Sequence, residues 1–322
     1  MQAILGVTVP FFALVLCGWL AARQQVLPES AIPGLNAFVL YFALPCMLFR
    51  FGAATPVLEL LSPVVLGVSL AAGLLIVFFT VATTLSERIG LKDASFGALV
   101  AAFPNSGFMG VPLLVALLGP AAAAPVICMI LGDIFVTSSL CIALAQMQGV
   151  AGGPGAALKR ALRGTLGNPL PWAIALGALS SGTGIALTGP LDTVVKLLAD
   201  SATPVALFTI GAVLWRAGQH AHSRTPPAEV VPVALIKLVL HPLLVALLGA
   251  VAAAQGLGLT SFQLQVMVLA AALPSASNVS LLAERYGADN GRVARIILVS
   301  TVLAFVSFSG LAWWLGVRPT GA

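Results

Sequence analysis

The sequence predicts an all-α integral membrane protein of ten transmembrane helices. They form two inverted five-helix repeats, with helices 4 and 9 broken and expected to cross. Three observations carry this prediction. The 322-residue chain is 60% hydrophobic and only 8% charged, with a mean hydropathy of +1.08, whereas soluble chains carry roughly 25% charged residues. Its basic residues alternate from loop to loop in a positive-inside pattern. Two interrupted apolar segments, Ala101–Gly110 and Ala271–Ser280, read as versions of each other, one in each half.

A helix needs roughly 20 apolar residues to cross a bilayer, and glycine, proline and charge clusters mark the connections. The spans predicted on that basis are 3–22, 33–52, 60–84, 94–118, 122–146, 166–182, 187–214, 230–254, 262–284 and 292–316. The first lacks a basic n-region and its apolar run is too long for a signal peptide, so it reads as a retained span. The one long connection, 147–164, carries Gly-Val-Ala-Gly-Gly-Pro-Gly and then Lys159, Arg160 and Arg163. It divides the chain into a first repeat (1–146), a cytoplasmic linker (147–164) and a second repeat (165–322).

Arg23, Arg88, Lys92, Lys159, Arg160, Arg163, Arg216, Arg224, Arg285, Arg292 and Arg295 lie in or beside odd-numbered loops. Even-numbered loops and the termini hold Arg50 and Arg318, while Lys196 and Lys237 fall inside spans. This asymmetry places the odd loops in the cytoplasm and both termini outside, in the periplasm for a chain of the inner cell membrane. An odd number of spans per half makes the halves inverted, so the two interrupted segments enter the membrane from opposite sides.

Each interruption is a proline followed by small and polar residues: Pro104-Asn105-Ser106-Gly107 and Pro274-Ser275-Ala276-Ser277-Asn278. Proline removes an N–H and crowds the preceding turn. In hydrocarbon such a break survives only where protein buries it or where it lines a wet cavity. An ordinary proline kink is the alternative, but breaks at matching repeat positions point to a transporter's binding site. If the segments cross near the midplane, the freed N–H groups and positive dipole ends of the half-helices face one cavity and favour an anion. Pro104, Asn105, Ser106, Gly107, Pro274, Ser275, Ser277 and Asn278 are the candidate substrate-binding residues on this ground.

Asp133 falls near the middle of the fifth span, where a carboxylate is costly. It is a candidate proton carrier, coupling-cation ligand or brace, or else a protonated acid bonded to a neighbouring helix. The equivalent stretch of the tenth span is Ser300-Thr301, without an acid, so the halves are not chemically equivalent. Lys237 and His241 share a face of the eighth span. They either add positive charge for an anionic substrate, or form a snorkelling lysine beside a histidine bonded across helices. Asp192 and Lys196, four apart, are expected to form a local ion pair.

Cys17, Cys46, Cys128 and Cys141 read as small buried hydrophobes, and nothing completes a metal site around His220 and His222. No Walker sequence, His-Glu-x-x-His or Gly-x-Ser-x-Gly occurs, so neither an enzyme nor an ATP-driven pump is expected, and no cofactor. The basic residues do not cluster with aromatics, which argues against nucleic acid as a partner.

Several residue runs, in order and spacing, resemble the auxin efflux carrier family in its bacterial members. They are Leu44-Pro45, Pro104-Asn105-Ser106-Gly107-Phe108-Met109-Gly110-Val111-Pro112, Asn168-Pro169-Leu170, Lys237-Leu238 with Pro242, and Leu273-Pro274-Ser275-Ala276-Ser277-Asn278-Val279 with Tyr286-Gly287. The resemblance covers essentially the whole chain. It implies a ten-span fold of two inverted repeats and a secondary carrier whose substrate sits where spans 4 and 9 cross. Pro104, Asn105, Pro274 and Asn278 are the residues it carries over, and it implies a homodimer through spans 2 and 7.

Plant members have Asn-Pro-Asn at both crossings, whereas this chain has Phe-Pro-Asn and Leu-Pro-Ser, so auxin itself is not carried over as substrate. The 147–164 linker is also far shorter than the regulatory domain of long plant members. Bacterial relatives labelled as carriers of malonate and other carboxylates direct the expectation to a small organic anion. Alternating access would rock spans 1, 2, 6 and 7 against spans 3–5 and 8–10, driven by protons, sodium or the membrane potential. A sodium-coupled symporter of the bile-acid carrier type and a non-transporting carboxylate sensor are the competing readings. A channel is disfavoured because nothing resembles a ring-forming filter.

Overall fold

In the computed structural model, the structure describes residues 1–147, 155, 159, 162–164, 166–219 and 226–319. Most of the 147–164 linker, with Arg160, and also His220, His222 and Arg224, lie outside the described residues. The helices are α1 (Gln2–Arg23), α2 (Glu29–Ala54), α3 (Pro63–Thr84), α4 (Leu91–Ala102), α5 (Ser106–Leu118) and α6 (Pro120–Gln146). The second half holds α7 (Pro169–Thr183), α8 (Gly189–Gln219), α9 (Pro227–Ala254), α10 (Ser261–Ala271), α11 (Val279–Tyr286) and α12 (Asn290–Trp314). Among the described residues, seven stretches are long and apolar enough to cross a membrane: α1, α2, the run Val57–Thr84 ending in α3, α6, α8, α9 and α12. The protein is an all-helical, multi-pass membrane protein.

The regions expected as spans 4 and 9 are each two short helices, α4–α5 and α10–α11, flanking a non-helical break. Helix starts are set locally. Ser62 caps α3, Thr260 and Gln263 form a capping box on α10, and Asp289 caps α12 by accepting from the Arg292 N–H at 2.9 Å. Each cap satisfies N–H groups that a helix start leaves orphaned. Gly287, with φ +66°, ends α11 in the left-handed conformation.

α1 packs on α8 and α2 on α7, both at very short range. A Cβ at Gly211 would collide with the Val15 carbonyl, and one at Gly177 with the Phe49 carbonyl. In hydrocarbon, where burial of apolar surface gives no net drive, small residues that let backbones meet are what hold helices together. The other helices gather around the two breaks: α4 against α3 and α6, and α9 against α3, α10 and α12.

Wide π-helical turns occupy Val39–Ala43, Ser106–Gly110, Asp133–Thr137 and Ile236–Leu240. Pro45, Pro112 and Pro242 each stand two residues beyond one of them. A proline ring crowds the carbonyl four residues back, here Tyr41, Phe108 and Leu238 at the centre of each turn, and widening the turn relieves that clash.

Three expectations are corrected. Asp192 pairs with Arg50 of α2 at 2.5 Å, and Lys196 pairs with Asp200 at 2.7 Å, so the local Asp192–Lys196 pair does not form. The tertiary partner on α2 outcompetes the helical neighbour for Asp192. Cys17 is exposed on the face of α1 and Cys46 is half-buried, while Cys128 and Cys141 are buried as expected. Arg292, grouped above with loop charges, is 2% exposed and donates to the Asp93 carbonyl at 3.0 Å. Asp93 in turn accepts from the Asp289 N–H at 2.7 Å, tying the starts of α4 and α12 together.

Candidate functional site

The two breaks meet. Pro104 and Ser275 form an isolated antiparallel β-bridge, with Asn105 N–H donating to the Pro274 carbonyl at 2.9 Å and Ala276 N–H donating to the Phe103 carbonyl at 3.0 Å. Two backbones that left their helices thus satisfy each other, which is what a membrane interior demands of non-helical chain. Ser300 of α12 completes the seat: its hydroxyl accepts from Ser275 N–H at 3.2 Å and lies 3.1 Å from Ser275 Oγ. The freed N–H groups therefore do not all face a cavity, since those of Asn105 and Ala276 are consumed in joining the breaks and that of Ser275 in the bond to Ser300. Those of Gly107 and Asn278 make no hydrogen bond among the described residues.

Beside the bridge lies a cavity of about 30 Å³. Its walls include Pro104, Asn105, Gly107 and Asn278 from the breaks, Leu40 and Leu44 from α2, and Asn168 at the head of α7. That volume is about the share of one water molecule. Asn105 is 4% exposed and Asn278 half-buried, and neither side chain forms a hydrogen bond among the described residues. A buried amide left so is costly unless it meets water or a ligand.

The other candidate residues are placed elsewhere. Ser275 is turned to Ser300, the Ser277 carbonyl accepts from the Ser280 hydroxyl at 3.0 Å, and Pro274 contributes its carbonyl to the bridge. Ser106 is fully buried with its hydroxyl unpaired among the described residues.

Lys237 and His241 form a second, buried group with Asp133. Lys237 is 0% exposed, so the snorkelling reading does not hold. Its ammonium donates to the Ala271 carbonyl at 2.8 Å and lies 3.0 Å from His241 Nδ1. Ala271 is the last residue of α10, so Lys237 satisfies a carbonyl that the break orphaned. A charge-assisted bond of this kind holds better than the weak alternative of bending the stem toward water. Asp133 opens the π turn of α6, accepts from Thr137 Oγ1 at 3.3 Å, and lies within electrostatic reach of Lys237. Its Oδ2 has no hydrogen-bond partner among the described residues. No cluster of three or more His, Cys, Asp or Glu suited to a metal ion occurs among the described residues.

Sequence reasoning did not anticipate the contributions of Asn168, Ser300 and the Ala271 carbonyl. Asn168 had a signal, the Asn-Pro pair of a helix start, but that reports a cap and not a cavity wall. The π turns had one as well, in the prolines two residues beyond three of them.

The chain matches the family described as membrane transport protein over residues 3–151 and 155–312. It is 30% identical over 319 residues to a Rhizobium meliloti protein named "Putative malonate transporter", covering 97% of this chain and 96% of that one. It is 27% identical to the Escherichia coli "Uncharacterized transporter YfdV" over 94% of both chains. A Methanothermobacter thermautotrophicus "Uncharacterized transporter" is 28% identical over 91% of this chain and 92% of its own. These are membrane transporters and not enzymes, and a fold with two seated helix breaks beside a small cavity reached by three asparagines is consistent with them. The chain belongs to this membrane transport protein family, the auxin efflux carriers.

Proposed function

We propose that the protein is a secondary transporter of a small organic anion, a carboxylate of malonate size, working by alternating access in the inner cell membrane. One observation carries the reading. Two interrupted helices are bridged to each other beside a cavity that holds unpaired amide side chains and free N–H groups. Such a site offers donors without a fixed counter-charge, which suits a carboxylate that must be released again. The relative named for malonate adds the substrate size.

The architecture in this proposal is ten spans in two inverted repeats, 1–146 and 165–322, with α4–α5 and α10–α11 counting as one span each. Recurrence at fixed displacement supports it. Gly18 and Gly52 recur 159 positions on as Gly177 and Gly211, as do Pro10 and Pro45 at Pro169 and Pro204. The glycine contact of α1 with α8 thereby corresponds to that of α7 with α2. Both termini are placed in the periplasm by the charge asymmetry.

Asp133 is the coupling residue in this reading, taking a proton or sodium. Its charge faces Lys237, which holds the end of α10, so neutralising Asp133 changes the hold on one half of the break. The substrate waits in the cavity beside Asn105, while α1, α2, α7 and α8 swing against the bridged breaks. Pro104, Pro274 and the serines form the seat.

The test is uptake of radiolabelled malonate into proteoliposomes under separate pH and sodium gradients. Asn105→Ala is expected to lower uptake at least tenfold. Asp133→Asn is expected to abolish gradient-driven accumulation while leaving malonate exchange. Malonate binding without flux in the wild type under every gradient would overturn the carrier reading in favour of a sensor.

A further inference from the structure

Asn168 reaches the same cavity from a different group of helices. It heads α7, which packs on α2, whereas Asn105 and Asn278 belong to the bridged breaks. Its side chain is not free to turn. Oδ1 accepts from Leu170 N–H at 3.0 Å as the cap of α7, so the amino group is the end left to face elsewhere. The chain leading to it is held as well, by Gly167 N–H to the Gly164 carbonyl at 3.2 Å and Trp172 Nε1 to the Leu166 carbonyl at 2.8 Å.

Beyond Asn168 itself, the first turn of α7 has no free donor to offer. Pro169 and Pro171 lack an N–H, and that of Leu170 is taken by the cap. The amino group of Asn168 is thus what this helix end presents. Within the cavity, Asn105 is 4% exposed and Asn278 half-buried, and among the described residues neither side chain makes a hydrogen bond. Leu40, Leu44 and Phe108 leave the remaining wall apolar. Amide groups enter from both helix groups, with apolar surface between. A ligand with acceptors at both ends fits this arrangement. A monocarboxylate with an apolar tail would leave one amide group unmatched, at a cost.

We propose that Asn168 is a specificity-determining residue whose amino group binds the second carboxylate of a short dicarboxylate, the first being held by Asn105 and Asn278. This rests on reading the cavity at the breaks as the substrate site. A ligand held by all three asparagines ties the two helix groups together, and a monocarboxylate does not. The selectivity therefore lies in the closing of the site and not only in its size.

Asn168→Asp separates this role from a structural one, because aspartate caps a helix as well as asparagine but replaces the donor with a charged acceptor. Malonate uptake is measured in proteoliposomes, with acetate as competitor, for wild type, Asn168→Asp, Asn168→Ser and Asn105→Ala. Thermal unfolding in detergent accompanies each variant. The malonate KM is expected to rise at least tenfold in Asn168→Asp and in Asn168→Ser, with the acetate inhibition constant within twofold of wild type. Asn105→Ala is expected to raise both constants. A malonate KM within twofold of wild type in Asn168→Asp overturns the proposal while leaving the site itself intact. Malonate and acetate constants that rise together in Asn168→Asp overturn it too. Both constants unchanged in Asn105→Ala would remove the site reading and the proposal with it.

Discussion

Asp133 and Lys237 show how a membrane interior can hold an acid and a base without a direct salt bridge. Each has a neutral partner, Thr137 for the acid and the Ala271 carbonyl with His241 for the base. Their mutual field offsets part of the burial cost that either would bear alone. Removing Lys237 should therefore harm more than removing both. Lys237→Met is expected to lower the thermal unfolding midpoint in detergent more than the pair Asp133→Asn with Lys237→Met does. The cycle should give a coupling of about 1 kcal/mol or more. A loss in the double variant equal to the sum of the losses in Asp133→Asn and Lys237→Met alone would show that the two charges do not interact. The Asn105 side chain, by contrast, has no hydrogen bond to lose among the described residues, and its backbone bonds survive in alanine, so Asn105→Ala should change transport with little change in stability, within about 0.5 kcal/mol.

At the scale of elements, the contacts of α1 with α8 and α2 with α7 depend on glycines that admit a neighbouring backbone. Gly211→Val would put side-chain atoms where the Val15 carbonyl and the Trp19 N–H lie. It is expected to cost roughly 2 kcal/mol or more, read as a clear loss of thermal stability. Gly6→Val in α1, where a Cβ would meet nothing within 4 Å, should be close to neutral. The π turns belong at this scale too. Three of the four are explained by a proline two residues on, and they bring Leu40, Phe108 and Lys237 to their places. The fourth, at Asp133–Thr137, has no such proline.

For the whole molecule, the proposed transport cycle has to enlarge a cavity of about 30 Å³ to admit a dicarboxylate, and parting α2 and α7 from the breaks would do so. Leu44 and Phe108 line it from the two sides. In a background with Cys17, Cys46, Cys128 and Cys141 replaced by serine, mercury bridging of Leu44→Cys with Phe108→Cys is expected to stop uptake. Thiol reductant should restore it, and neither single variant should respond. Orientation is checked by single cysteines at Glu59 and Glu87, both exposed. With both termini in the periplasm, an impermeant thiol reagent added to whole cells with a permeabilised outer membrane should label Glu59→Cys and leave Glu87→Cys untouched.

Membrane character, the seven stretches long enough to cross a bilayer and the two broken segments were legible in the sequence, because each follows from chain-local physics. Bilayer thickness fixes an apolar length, proline removes a donor wherever it stands, and caps act on their own helix. The prolines and small polar residues of the two breaks could be marked as candidates on that basis, and the family resemblance narrowed them to Pro104, Asn105, Pro274 and Asn278. The tertiary structure decided what no local rule contains. Joining the breaks consumed the N–H groups of Asn105 and Ala276, and Ser275 turned to Ser300. Lys237 gave up the route to water for the orphaned carbonyl of Ala271, and Asp192 chose Arg50 over its helical neighbour. Asn168 came to the cavity wall from the head of a helix in the second half of the chain. The physical reason is the same in each case: in a dry interior a polar group binds whichever partner the packing of distant helices brings within about 3 Å.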